Sequence, residues 1–209
     1  SLHSPSEELK GEYEWLCPGC PYVAVLIALN KALKGLTSQT LMVAGGECLS
    51  RLSRRFIGKS VLTVKGSSLG VLCGLASSFK GLVIALEESS FLLEEGLSAL
   101  VNLSHKGVSC LVVVCDNRVA KAFPRLPSPS SGCNLMSTGI PVEIDKIARA
   151  LGARFVKVLS PFNVRRAVRV LREAVKRSRL HGKLSVVVFK ASCTLALREG
   201  GYFKPKPPS

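Results

Sequence analysis

Two short polar segments, Glu87-Glu88-Ser89-Ser90 and Asp116-Asn117-Arg118, close two apolar runs, Gly81 to Leu86 and Cys110 to Cys115. A carboxylate after one strand and an asparagine after a nearby one can meet at the carboxyl edge of a parallel sheet. There they could hold a divalent cation against a phosphorylated ligand. A helix-like segment separates the two, and 26 residues lie between Ser89 and Asp116. A second set of residues is built on sulfur. Cys17-Pro18-Gly19-Cys20 puts two thiols three positions apart in a turn, where they can grip one metal ion or one corner of a cluster. Cys48 follows a strand-like run and a Gly-Gly turn, and Cys193 follows the last such run, so four thiols from separate loops could converge. On the residues alone, zinc, a redox-active disulfide, a cluster and a plain turn all stay open.

These residues need elements to position them. Strand-like runs are expected at Leu41 to Ala44, Ser60 to Val64, Leu82 to Leu86, Cys110 to Cys115, Phe155 to Leu159 and Leu184 to Phe189. Helix-like segments alternate with them at Val23 to Lys34, Leu69 to Phe79, Gly96 to Lys106, Val142 to Leu151 and Val164 to Arg179. Strands apolar on both faces are covered by helices on both sides. The alternation predicts a three-layer α/β sandwich around a mostly parallel sheet of about six strands. Ligands of such folds bind at the carboxyl ends of the strands, where the singled-out residues fall. The long irregular stretch from Phe123 to Pro141, with its prolines, follows Asn117 closely and could close over a ligand held there.

At 209 residues with 47% hydrophobic content, the chain can bury a sizeable core as one domain. The expected division is an N-terminal extension over 1–14, a module over 15–203 and a Pro-rich tail over 204–209. No apolar run is long enough to span a bilayer, and Ser1 to Glu14 is polar and acidic rather than signal-like. These features predict a cytoplasmic protein. The absence of an initiator Met suggests a processed chain or a fragment. Eight Cys in such a chain do not read as a disulfide framework. Cys73, Cys110 and Cys115 read as small packing residues, and Cys133 has no assigned role. A single Gln beside many Lys and Arg points toward a thermophile.

The net charge of +15 concentrates late, at Arg165, Arg166, Arg169, Arg172, Lys176, Arg177 and Arg179. Val164, Ala167, Val168, Leu171, Ala174 and Val175 recur between them at helical spacing, predicting an amphipathic helix with a cationic outer face. A solvated face comes first among its roles and docking of an acidic protein second. Nucleic acid comes last, because aromatic residues are only 6% and no nucleic-acid motif is present.

Taken in order, these segments resemble the thiamine-diphosphate-binding module of 2-oxoacid:ferredoxin oxidoreductases, the indolepyruvate type in particular. Trp15-Leu16-Cys17-Pro18-Gly19-Cys20-Pro21 resembles that family's opening Cys-x-Gly-Cys-Pro motif. Gly45-Gly46-Glu47-Cys48 resembles its Gly-Cys turn, and Lys65-Gly66-Ser67-Ser68-Leu69-Gly70 its Gly-Ala-Ser-Ile-Gly helix start. Glu87 to Gly96 falls on the diphosphate motif, Cys115-Asp116-Asn117-Arg118 is nearly verbatim, and Ser192-Cys193-Thr194-Leu195 resembles the closing Cys-Ala-Leu.

The resemblance implies a 4Fe–4S cluster on Cys17, Cys20, Cys48 and Cys193. It also implies thiamine diphosphate with Mg²⁺, bound by Gly66, Glu88, Ser89, Asn117 and Val119. Glu88, Asn117 and the Val119 carbonyl would be the Mg²⁺ ligands. The implied reaction is oxidative decarboxylation of a 2-oxo acid, with coenzyme A as acceptor and ferredoxin as oxidant. The activating Glu belongs to a partner pyrimidine-binding module, so no catalytic residue is assigned here. Four positions differ from the family pattern. Glu87 and Ser89 stand at glycines, Glu88 at an aspartate, and Tyr22 at a histidine. Glu87 would repel the phosphates unless it turned outward or paired with a cation such as Arg118. A non-catalytic relative, kept as an assembly or regulatory subunit, is the alternative.

Overall fold

Leu, Val and Ile fill the strand-like runs, and β-branched or bulky side chains fit a pleated surface buried on both faces. In a computed structural model, which describes residues 17–35, 40–57, 61–64, 66–120, 126–133, 138–181 and 184–198, these runs form one sheet. The extension 1–14, Trp15, Leu16, Lys65 and the tail 204–209 lie outside the described residues. The strands are β1 (Thr40–Ala44), β2 (Val61–Thr63), β3 (Leu82–Glu88), β4 (Cys110–Asp116), β5 (Phe155–Leu159) and β6 (Ser185–Lys190). Their order is β2-β1-β3-β4-β6-β5, and every pairing is parallel.

Alternation along the strands feeds two cores. Ile84, Leu86, Leu111, Val113, Val187 and Phe189 face α1 (Pro21–Leu33), α2 (Cys48–Ile57) and α7 (Val164–His181). Val83, Ala85, Val112, Val114, Val186 and Val188 face α3 (Ser68–Ser78), α5 (Leu97–Lys106) and α6 (Ile144–Ala150). Each fully buried Leu, Ile or Val contributes about 1.5–3 kcal/mol of transfer free energy, so the two layers of helices fix the sheet between them. Helix α1 starts with Pro21 in its first turn, where a missing N–H costs nothing. Helix α5 stops at Gly107, whose φ of 61° is the left-handed conformation glycine adopts freely.

The three-layer fold is as expected, and two local readings change. Helix α2, absent from the sequence reading, follows Cys48. Its apolar Leu49, Leu52 and Phe56 lie on one face and Arg51, Arg54 and Arg55 interrupt them, which makes a short, strongly charged amphipathic segment. Strand β3 runs two residues farther than expected, because Glu87 pairs with Val114 and Glu88 with Cys115 in unbroken register. Ser89 then opens a helical run at once: α4 (Ser89–Phe91), a π-helical segment (Leu92–Gly96) and α5 follow without a loop.

Candidate functional site at the carboxyl edge of the sheet

The chain passes from β1 outward to β2 and then returns to β3 on the other side of β1, which places a topological switch point between β1 and β3. Gly45 and Gly46 leave β1 there, and Glu87 and Glu88 end β3 beside them. Gly45 N–H donates to the Leu86 carbonyl at 2.9 Å, and Gly46 N–H donates to the Gly66 carbonyl at 2.9 Å.

Because successive residues of a strand face opposite ways, the two glutamates part company. Glu87 turns toward the start of α3. Its Oε2 accepts from Ser68 N–H at 2.7 Å, Ser68 Oγ at 2.8 Å and Ser67 Oγ at 3.0 Å. Glu88 turns toward the start of α2, where its Oε1 accepts from Leu49 N–H at 2.8 Å and the amides of Cys48 and Glu47 also face it. Two more amides at the α3 start are covered: Glu95 Oε2 accepts from Ser67 N–H at 3.2 Å and Ser67 Oγ from Leu69 N–H at 3.3 Å. Both glutamates are buried, and burial outweighs the hydrogen bonds, raising each carboxyl from 4.5 to about 7. Glu87 therefore neither turns outward nor pairs with Arg118; it is an interior helix cap.

The thiols gather on the Glu88 side of the sheet. Cys20 caps the start of α1 and its N–H donates to the Cys17 carbonyl at 3.0 Å. Cys48 opens α2, and Cys193 leaves β6 with its N–H on the Asn117 carbonyl at 3.0 Å. Gly19 faces Thr194 so closely that an added Cβ would lie 3.5 Å from the Thr194 methyl, which sets the Cys17–Cys20 turn against the Cys193 loop. The thiols are close enough to act on one another. Burial pushes Cys48 up to about 12, with Glu88, Cys20, Cys193 and Cys17 adding to the rise, and Cys20 is raised by burial with Cys17 and Cys193 contributing. None of the four forms a disulfide, and all are half-buried. Among the described residues no three His, Cys, Asp or Glu side chains are gathered tightly enough to hold a single metal ion.

Tyr22 lies under this group, its phenol raised by burial and by Glu88, Cys115, Cys48 and Cys20. Its hydroxyl and that of Thr194 are buried without a hydrogen-bond partner. Two idle donors beside four thiols suit a bound cluster, whose sulfurs accept such bonds. Four thiolates also supply the required ligand set, and a cluster is larger than a single ion, so its ligands stand farther apart.

On the β4 side, Asn117 Oδ1 accepts from Val119 N–H at 3.1 Å, and Asp116 Oδ1 accepts from Arg118 N–H at 3.2 Å. Arg118 takes a φ of 64°, the left-handed region, to make this tight turn. The described part of the long stretch is tied to the end of β4 and to itself. Ser130 Oγ donates to Asp116 Oδ1 at 2.6 Å, Val119 bridges Pro127, and Cys133 bridges Thr138. Residues 121–125 and 134–137 lie outside the described residues.

Of the residues assigned from the sequence to a diphosphate–Mg²⁺ site, Gly66, Glu88, Ser89, Asn117 and Val119 all stand along this edge, but the donor set does not fit such a group as arranged. Glu88 Oε1 is spent on α2 and Glu87 Oε2 on α3, while Glu87 Oε1 and the hydroxyls of Ser89 and Ser90 are buried without a hydrogen-bond partner. A Cβ on Gly46 would come within 2.5 Å of the Glu88 carboxyl, and one on Gly45 within 3.0 Å of Glu87 Oε1, so the glutamates fill the space the glycines leave. Ser67, Ser68 and Glu95 escaped the sequence reading as site residues. Their signal was only a Ser-Ser pair before an apolar run, which marks a helix start and not its acceptor.

No family model matches the chain. It is homologous to one segment of the indolepyruvate oxidoreductase subunit IorA of Archaeoglobus fulgidus, 30% identical over 183 residues, covering 86% of this chain and 28% of that subunit. The chain thus spans under a third of the length of the curated relatives it matches. A 2-oxoglutarate:ferredoxin oxidoreductase from Magnetococcus marinus, with 2-oxoglutarate, coenzyme A and succinyl-CoA bound, superposes with a TM-score of 0.74 at 17% identity. It covers 85% of this chain and 64% of that one. Benzoylformate decarboxylase from Polynucleobacter necessarius does so with a TM-score of 0.59 at 17% identity, over 92% and 35% of the two chains. The fold is that of the thiamine-diphosphate-binding modules, as the motif order predicted. No helix among the described residues is long and apolar enough to cross a membrane.

Proposed function

We propose that the chain is a component of a 2-oxoacid:ferredoxin oxidoreductase of the indolepyruvate type, carrying a 4Fe–4S cluster on Cys17, Cys20, Cys48 and Cys193. The observation that supports this most is the gathering of four thiols from the α1, α2 and β6 loops around the unpartnered hydroxyls of Tyr22 and Thr194. A cluster bound there would carry electrons singly toward a ferredoxin. Burial holds Cys20 and Cys48 as neutral thiols, so loading the cluster releases their protons. The 2-oxo acid, coenzyme A and the pyrimidine-binding module belong to the rest of the assembly, either as a partner chain or as further polypeptide. The exposed cationic face of α7, Arg165, Arg166, Arg169, Arg172 and Lys176, suits docking of an acidic electron carrier. One observation favours a non-catalytic assembly or regulatory role for this module: Glu87 and Glu88 fill the edge where the diphosphate and Mg²⁺ of the family would sit.

Anaerobic reconstitution with iron and sulfide tests the cluster. Wild type should take up iron and sulfide in equal amounts with a broad visible absorbance, and Cys193→Ala should lose most of both while keeping its far-UV circular dichroism. Equal iron in the two proteins would remove Cys193 from the ligand set and with it this reading.

A further inference from the structure

We infer that Glu87 and Glu88 are resident acceptors for the starts of α3 and α2, holding the amides a diphosphate would need, so that this module works without thiamine diphosphate. The inference deepens the reading of the chain as an oxidoreductase component and rests on it for the identity of the missing ligand.

A helix start aimed at the carboxyl end of a parallel sheet is an anion site, because its first N–H groups have no partner within the helix. At the switch point between β1 and β3 two such starts converge. In α3 the amides of Ser67, Ser68 and Leu69 are taken by Glu95, Glu87 and Ser67, in that order. In α2 the Leu49 amide is taken by Glu88, which also faces those of Cys48 and Glu47. The Glu88 carboxyl crowds Gly46, and the Gly66–Ser68 backbone with Glu87 Oε1 crowds Gly45, so the space at this edge is occupied by the chain itself. A diphosphate brought to the same amides would have to displace two buried carboxyl groups that already fill the place and hold the donors. Strand register sets the face each one takes: pairing of Glu87 with Val114 and Glu88 with Cys115 sends one carboxyl group toward each helix start.

Calorimetric titration with thiamine diphosphate and Mg²⁺ tests this on the whole chain, with iron content measured on the same anaerobic preparations. Wild type should give no saturable heat at millimolar ligand. Glu87→Gly with Glu88→Asp frees the α3 start and draws the second carboxylate back by one methylene. This double variant should gain Mg²⁺-dependent binding at least about tenfold tighter than wild type. Saturable, Mg²⁺-dependent binding by wild type would overturn the inference, as would a folded double variant that gains nothing. If the double variant does not fold, Glu88→Asp alone is the second arm. Hydrogen exchange at the Leu49 amide should then rise and slow again on adding the cofactor; exchange indifferent to the cofactor counts against the inference. Iron uptake reports separately on the cluster: protein that binds neither iron nor cofactor removes the proposed function while leaving the carboxylates as the reason no diphosphate binds.

Discussion

Replacing Glu87 by glutamine keeps the size of the side chain and an acceptor for the Ser68 amide, and removes the titration. The carboxyl is raised from 4.5 to about 7 by burial. Below the unfolded value it is protonated in both folded and unfolded chains, and its contribution to stability is fully present. Between 4.5 and about 7 the folded protein keeps a proton that the unfolded chain has released. Stability therefore falls as pH rises through this window, and the loss is complete above it. At about 1.4 kcal/mol per pH unit, the loss is on the order of 3 kcal/mol. For a chain of this size that corresponds to roughly 6–12 °C in Tm.

The protonated acid has a clear place to donate. Ser68 Oγ lies 2.8 Å from Glu87 Oε2 and 3.1 Å from the Leu86 carbonyl, and its single proton serves one of them at a time. A neutral Glu87 can give its proton to Ser68 Oγ, which then bonds Leu86; a glutamine oxygen in the Oε2 place only accepts, keeping the Ser68 amide bond. Glu88 is present in both proteins and cancels in the comparison. Urea unfolding of wild type and Glu87→Gln, followed by circular dichroism, should therefore show a difference that moves in the variant's favour from pH 4.5 toward about pH 8, on top of a pH-independent offset from the amide nitrogen in the Oε1 place. A difference that stays constant across the range would refute a neutral, buried Glu87.

Arg118→Gly removes the left-handed strain of a non-glycine residue while leaving the backbone hydrogen bond to Asp116, and should stabilise the protein by about 1 kcal/mol in the same assay. Reversing Arg166, Arg169 and Arg172 to Glu on the exposed face of α7 should slow association with an acidic ferredoxin at low salt and have little effect at high salt, as read by stopped-flow. A rate indifferent to both changes would leave that face merely solvated.

Apolar runs bounded by turn residues specified the six strands and most of the helices, because burial on both faces imposes a local composition that survives without any partner in view. The CxxC turn and the Asp-Asn turn were legible for the same reason: each is a short-range geometry written in adjacent residues. The tertiary structure alone decided what those residues meet. Whether Cys193 shares a corner with Cys17 and Cys20 depends on β6 inserting between β4 and β5, a sheet order that no local pattern encodes. Helix α2 was missed because its run of arginines diluted its apolar face. The fate of Glu87 and Glu88 turned on two residues of strand length. Pairing with Val114 and Cys115 extends β3, alternation then sends one carboxyl group to each layer of helices, and the amides awaiting them lie 19 and 39 residues away in sequence. A sequence shows that two acids lie side by side; only the register of the strand, set by its neighbour in space, determines that they face apart and bury their carboxyl groups against the protein's own helix starts.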